Sequence, residues 1–276
     1  MNTDFETLLY EEDEGVATVT LNRPEVHNSF DLRMERELRE LWTGLRWHRD
    51  VRVVVLTGAG EKAFCAGIDR QEVEDYLGSQ EDPDPISAGP VRTPFMYNDP
   101  GVFVCPKQND MWKPVVAAVN GMACGGAFYM LGEADIIVAA EHATFFDPHV
   151  TYGMVSGFES THLLQKLPLG ETLRLALLGA HERMTAARAF QLGLVSEVVP
   201  PAELMERSLW VARAIASAPT AAIQGTLRAI WMAHELARRE AIAHVSSFVA
   251  LGTEYDDIAQ GQAAFEGSER IDPRLR

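Results

Sequence analysis

The segment Val115–Leu131, VVAAVNGMACGGAFYML, holds one Asn, three Gly and no charge. It reads as a buried strand that gives way to a buried helix, with Gly125 and Gly126 at the junction. No other stretch constrains the fold as strongly. A glycine pair at such a junction has two readings. It permits close packing or a tight turn where a side chain will not fit. Alternatively, it brings main-chain amides up to a ligand.

The flanking pattern points to an α/β core. GVATVTLNRP alternates apolar and small polar residues and reads as a strand ended by Arg23-Pro24. Asp31 is placed to cap a helix with Met34, Leu38, Leu41 and Leu45 on one face. VRVVVLTG is a buried strand, AGEKAFCAGIDR a loop, and a short helix is expected near Gln71–Leu77. ADIIVAA and ATFF are further strands. Residues 78–110 carry six prolines and read as a long loop, a lid over a site, with Phe95, Met96, Tyr97, Phe103 and Val104 pointing to partial packing. Helices dominate from Phe158. Composition shifts near Val199-Pro200-Pro201, so residues 1–200 read as the α/β core and 201–276 as a helical region.

At 276 residues this is one large domain, or a domain with an appendage. The net charge of −16 argues against nucleic acid and anionic membranes as partners. Cys65, Cys105 and Cys124 are odd in number and lack CxxC spacing, as expected of a reduced, cytoplasmic protein. The acidic start MNTDFETLLYEEDEG is not a signal peptide, and no apolar run is long enough to span a membrane.

Four stretches, in order, carry a resemblance: VATVTLNRPEVHNSF, KAFCAGIDR, KPVVAAVNGMACGGAF and ARAFQLGLVSEVV. Together they resemble the crotonase superfamily, the enoyl-CoA hydratase/isomerase family, over nearly the whole chain. The resemblance implies a ClpP-like superhelix of ββα turns with a C-terminal helical trimerisation region, a homotrimer or hexamer, and an acyl-CoA substrate. It implies no cofactor beyond the CoA moiety and no metal. It places an oxyanion hole at the N–H groups of Ile68 and Gly126, where preorganised donors face developing charge. It places Val26 and His27 near the CoA adenine, and Ala66 and Asp69 on the loop around pantetheine. Arg23 is a candidate phosphate partner or a surface charge at a strand end. In the ERIDPRLR tail, Arg270 could approach a neighbour's CoA or be a solvated charge.

The chain departs from the hydratases of this family, which use two glutamates. Tyr129 stands at the first position, and His149, after Pro148, at the second. His149 is the leading candidate for proton transfer. Asp147 could orient it, though a helix cap or surface charge is the plainer reading. Tyr129 is a hydrogen-bond donor or a core residue. Glu159 could reach the acyl pocket or be a capping, solvated side chain. MVSGF is not a G-x-S-x-G elbow, so Ser156 is not a nucleophile. No His/Cys/Asp group has metal-ligand spacing, and GMACGG lacks the dinucleotide-binding fingerprint.

These features imply an acyl-CoA enzyme of the hydratase/isomerase type, a lyase or isomerase working through a thioester enolate. The alternatives are retro-Claisen carbon–carbon cleavage using His149, and a catalytically silent acyl-CoA-binding protein.

Overall fold

Val53–Gly58 is buried at every position, which a strand sustains only where layers cover both faces of its sheet. The computed structural model describes residues 3–71, 89–90, 97–266, 271 and 273–275, and it supplies both layers. One sheet runs Leu8–Asp13, Val16–Leu21, Val53–Gly58, Val115–Val119, Ile136–Ala140 and Glu197–Val199, in the same order in space as in sequence. All neighbours are parallel except the first pair. That pair is a hairpin closed by Glu14-Gly15, with φ of 48° and 80°. Two positive φ values match a two-residue turn to the strand twist.

The period of two sorts the strand residues between two cores. Val54, Leu56, Val115, Ala117 and Val119 face the larger core, with the helix Leu32–Trp47. Val53, Val55, Val116, Ala118 and Val138 face Leu204, Ala212 and Ala216 of the helix Leu204–Ala216. Asp31 caps the Leu32–Trp47 helix, accepting from Met34 N at 2.8 Å. The expected stripe Met34, Leu38, Leu41 and Leu45 is fully buried. Trp42 joins it and donates to the Val104 carbonyl at 3.0 Å.

A second sheet runs Met184–Thr185, Thr144–Phe146, Met122–Cys124, Ala63–Cys65. Successive turns of chain leave one strand in each sheet and then form a helix. Val115–Val119 and Met122–Cys124 precede the helix Ala127–Glu133; Ile136–Ala140 and Thr144–Phe146 precede Phe158–Leu164. This is the ββα repeat of the crotonase fold. It fixes the site, because three short parallel strands end side by side. The residues that follow them, Ala66–Asp69, Gly125-Gly126 and Asp147–His149, are brought together.

Residues 78–88 and 91–96 of the expected lid lie outside the described residues, as does the helix near Gln71–Leu77 beyond Gln71. The end of the expected lid is core: Phe103, Val104 and Cys105 are buried under the Leu32–Trp47 helix. Apolar burial there outweighs the proline and glycine signal that marked a loop. The acidic N-terminal stretch forms the edge strand Leu8–Asp13, with its charges on the exposed side. The composition shift at residue 200 marks the end of the sheet, but the Leu204–Ala216 helix remains a layer of the core. The helices Thr220–Glu235 and Arg238–Gly252 follow and pack on each other as a hairpin. Trp231 ties this hairpin down, donating to Asp135 at 2.7 Å with the Lys107 and Lys166 ammonium groups over its ring. Among the described residues no helix is long and apolar enough to cross a membrane.

Replacing Trp42 by Ala is expected to cost about 3–5 kcal/mol, the range for a large buried aromatic. Trp42→Phe is expected to cost about 1–3 kcal/mol, because the Val104 carbonyl loses its donor. Chemical denaturation monitored by circular dichroism measures both.

Candidate active site

The loop after Ala63–Cys65 is held by Phe30. Phe30 N donates to the Gly67 carbonyl, and Asp69 N donates to the Phe30 carbonyl, both at 2.9 Å. Both main-chain groups of Phe30 thus engage the residues flanking Ile68, and the Ile68 N–H faces away from Phe30. Gly126 sits at the start of the helix Ala127–Glu133. Among the described residues, neither the Ile68 amide nor the Gly126 amide has an acceptor. The two loops touch. A Cβ on Gly67, whose φ is 86°, would lie 2.7 Å from Gly126 N; one on Gly126 would lie 2.7 Å from the Phe30 ring and 3.2 Å from Gly67 Cα. Glycine at both positions is therefore a condition of the approach. Two touching loops thus each carry an amide with no acceptor among the described residues.

The third strand end brings in side chains. His149 opens a short turn, His149–Tyr152, and its ring lies 3.5 Å from where a Gly125 Cβ would stand. Its Nδ1 bonds Asp147, and its Nε2 lies 3.5 Å from Glu159 Oε1. Asp147 is fully buried and also accepts the Ser156 hydroxyl, which is 2.5 Å from the Ser160 hydroxyl. Asp147 also accepts from His149 N at 3.2 Å, a capping bond to the turn, while the readings of Asp147 as a surface charge and of Glu159 as a solvated carboxylate do not hold. Both are buried against His149, because Pro148 turns the chain so that residues 147 and 149 share a side. The hydrogen bond to Asp147 holds the imidazole above its usual pKa, against burial and with help from the Glu159 charge. Burial pushes Asp147 up, but its bonds from His149 and Ser156 outweigh this and keep it below the usual carboxylate range. Burial raises Glu159; the His149 charge works against that rise, and Asp147 and Asp99 add to it.

Tyr129 is buried one turn into the helix that Gly126 opens. Its hydroxyl donates to Asp99 at 2.7 Å, and its ring lies 6.3 Å from Phe158 and 5.7 Å from His162. Asp99 was missed in the sequence. It is 30 residues from Tyr129, inside a proline-rich stretch that carries no periodic signal. Asp147, His149 and Glu159 also gather donor atoms within 4.8 Å of one another, a set that could hold a metal ion. Sequence spacing did not reveal this set, since Glu159 joins it from a separate helix.

The residues expected at CoA form a braced turn. Ala66 N donates to the His27 carbonyl at 3.0 Å, and His27 is left-handed, with φ of 57°. Asn28 bonds the carbonyls of Ala59 and Ala63. Arg23 is not placed as a free phosphate ligand. Its guanidinium reaches Asp69 at 2.9 Å and Asp31 at 3.2 Å, and donates to the Ser29 carbonyl at 2.7 Å. It ties the Val26–His27 turn to the Ile68 loop. Arg270 lies outside the described residues.

This geometry meets the comparisons with known proteins. Residues 11–274 match the family described as Enoyl-CoA hydratase/isomerase. The chain belongs to the enoyl-CoA hydratase/isomerase family. It is 33% identical over 262 residues to an (E)-benzylidenesuccinyl-CoA hydratase of Thauera aromatica, with 95% of each chain covered. It is 30% identical over 227 residues to a short-chain-enoyl-CoA hydratase of Clostridium acetobutylicum, with 82% of each covered. A crystal structure of an enoyl-CoA hydratase/isomerase from Mycobacterium paratuberculosis superposes with a TM-score of 0.85 at 36% identity, covering 99% of this chain and 100% of that one.

Gly67→Ala is expected to lower turnover of an acyl-CoA substrate by about 10²–10³-fold, as removal of an oxyanion donor does elsewhere, with the circular dichroism spectrum kept. Asp147→Asn is expected to bring the His149 pKa down, because burial then acts without the carboxylate. An NMR titration of the His149 ring measures the shift. In the wild type the raised His149 stabilises the fold below its usual pKa and loses that contribution as pH rises through its folded value. Asp147, held low, contributes above its usual pKa and loses the contribution as pH falls.

Proposed function

We propose that this chain hydrates 2-enoyl-CoA thioesters, or runs the reverse dehydration, through an enolate held by the Ile68 and Gly126 amides. The observation that carries the reading is the His149–Glu159 pair beside Gly125-Gly126. Hydration needs a base for a water proton, an acid for the α-carbon and a place for charge on the thioester oxygen. Both groups are raised from their usual values, and the reaction needs Glu159 as the carboxylate and His149 as the cation, a charge pair that the Asp147 bond favours. The Glu159 carboxylate takes a proton from water as its oxygen bonds the β-carbon. The double-bond electrons move onto the thioester oxygen, where two amides meet them. The His149 Nε2–H then protonates the α-carbon. Proton transfer from protonated Glu159 to neutral His149, across the 3.5 Å between them, restores the start. Asp147 holds the ring through Nδ1 and stabilises its charged form.

The buried Asp147–His149 dyad also favours a second reading. It would suit water attack on the distal ketone of a β-ketoacyl or diketone substrate, with cleavage of the carbon–carbon bond. Substrate choice separates the readings. Loss of the enoyl-thioester absorbance with formation of the 3-hydroxyacyl product supports hydration. Cleavage of a diketone with no effect on enoyl thioesters supports the second. Binding of CoA thioesters without turnover of either would leave a silent acyl-CoA-binding protein.

On the first reading, His149→Ala and Glu159→Gln are each expected to lower kcat by about 10²–10⁴-fold. The wild-type rate is expected to fall as pH drops through the raised Glu159 value, where the base is protonated. It falls again as pH rises through the raised His149 value, where the acid is lost. A pH–rate profile checks both limbs.

A further inference from the structure

A cleft of about 620 Å³, within the range of small-ligand sites, lies between the helix Thr220–Glu235 and the core. Ile136, Ile215, Ile223 and Leu227 give it an apolar lining, and Lys166 lines it with them. Thr226, Ile230 and His234, on the same wall, are exposed, so the cleft opens to solvent. The Lys166 ammonium donates to the Ala134 carbonyl at 2.8 Å and stands 5.4 Å from the centre of the Trp231 ring. The charges around it are mixed. Asp135 and Glu133 favour its charged form, and Lys107 opposes it. Asp135 is already engaged, by Lys107 at 2.9 Å, by Trp231 at 2.7 Å and by Val115 N at 2.7 Å. His162 feels the Lys166 charge from the preceding helix, and His234 shares the cleft wall. Burial outweighs the two carboxylates and brings the Lys166 pKa down to about 8. Near neutral pH this leaves on the order of 10²-fold more free amine than an ordinary lysine has. A desolvated amine beside an apolar cavity is an activated nucleophile. Lys113 is lowered to about 8 as well, also by burial. It differs in access: it is buried, bonded to the His48 and Val51 carbonyls, and does not line the cleft.

We propose that Lys166 is an acyl acceptor: the cleft takes the apolar chain of an acyl-CoA thioester, and the Lys166 amine attacks its carbonyl carbon. The C–N bond forms and the C–S bond breaks. The sulfur leaves with the electron pair and takes up the proton that the nitrogen sheds, so the products are an amide and free CoA. No further reactant is needed. The inference takes its acyl donor from the acyl-CoA reading above but not its chemistry, because the cleft shares no residue with the Ile68, Gly126 and His149 site.

The test incubates the whole protein with decanoyl-CoA at neutral pH and follows each lysine by peptide mass spectrometry. The chain has four lysines, Lys62, Lys107, Lys113 and Lys166, so three serve as internal references. Lys62 is exposed, Lys107 is ion-paired with Asp135, and Lys113 is low in pKa but buried. Lys166 is expected to be decanoylated at least about tenfold faster than any of the three. Acetyl-CoA, which has no chain to fill the cleft, is expected to label Lys166 at least about tenfold more slowly than decanoyl-CoA does. Thr226→Trp narrows the cleft and leaves the amine in place; it is expected to slow Lys166 decanoylation about tenfold or more with Lys62 labelling unchanged. Labelling of Lys62 or Lys113 at the Lys166 rate overturns the proposal. So does equal labelling of Lys166 by the two thioesters, or a Lys166 rate that Thr226→Trp does not alter. A protein that acylates Lys166 but hydrates no enoyl thioester keeps this inference and loses the hydration reading. One that hydrates them and leaves Lys166 unmodified does the reverse.

Discussion

The contact between Gly67 and Gly126 is the constraint on which the rest of the site depends. It joins the loops after two different strands at a distance no side chain permits. The contact exists because Ala63–Cys65 and Met122–Cys124 pair in parallel and end together. It faces the right way because Phe30 engages both neighbours of Ile68. A sheet register and one bridging residue thus determine where two amides point, before any catalytic side chain is considered.

Around that contact the side chains centre on one imidazole. Among the described residues His149 is the ion-pair partner of both Asp147 and Glu159, and the Asp147 bond favours its charged form. Asp147 in turn is stabilised by Ser156, so the charge arrangement reaches into the Phe158–Leu164 helix through Ser160. Arg23 does comparable work on the other loop, but for structure: with Asp31 and Asp69 it braces the turn beneath Ile68.

Much of this was legible in the sequence. Apolar runs marked the inner strands, Asp31 and its stripe marked the first helix, and the Gly-rich stretches marked the amide loops through family likeness. The rest was hidden for physical reasons. The strand Leu8–Asp13 is an edge strand with one face in water, so it lacks an apolar run, and its Glu14-Gly15 turn gives only a weak signal. Phe103 and Val104 did point to partial packing within the proline-rich stretch, and both are core. The partnership of Asp99 with Tyr129, and of Glu159 with His149, depends on which residues the ββα winding stacks above one another. Spacing along the chain does not encode that.

The amides of Ile68 and Gly126 belong to the main chain, so no single-residue exchange short of a proline deletes either donor. Side chains at positions 129, 149 and 159 enjoy no such protection. The two amide donors survive such exchanges, but the place where they meet does not: it is held by the two glycines, where a single Cβ would push the loops apart. Chemistry that relies on these donors is thus exposed to mutation at two positions that bear no functional group of their own.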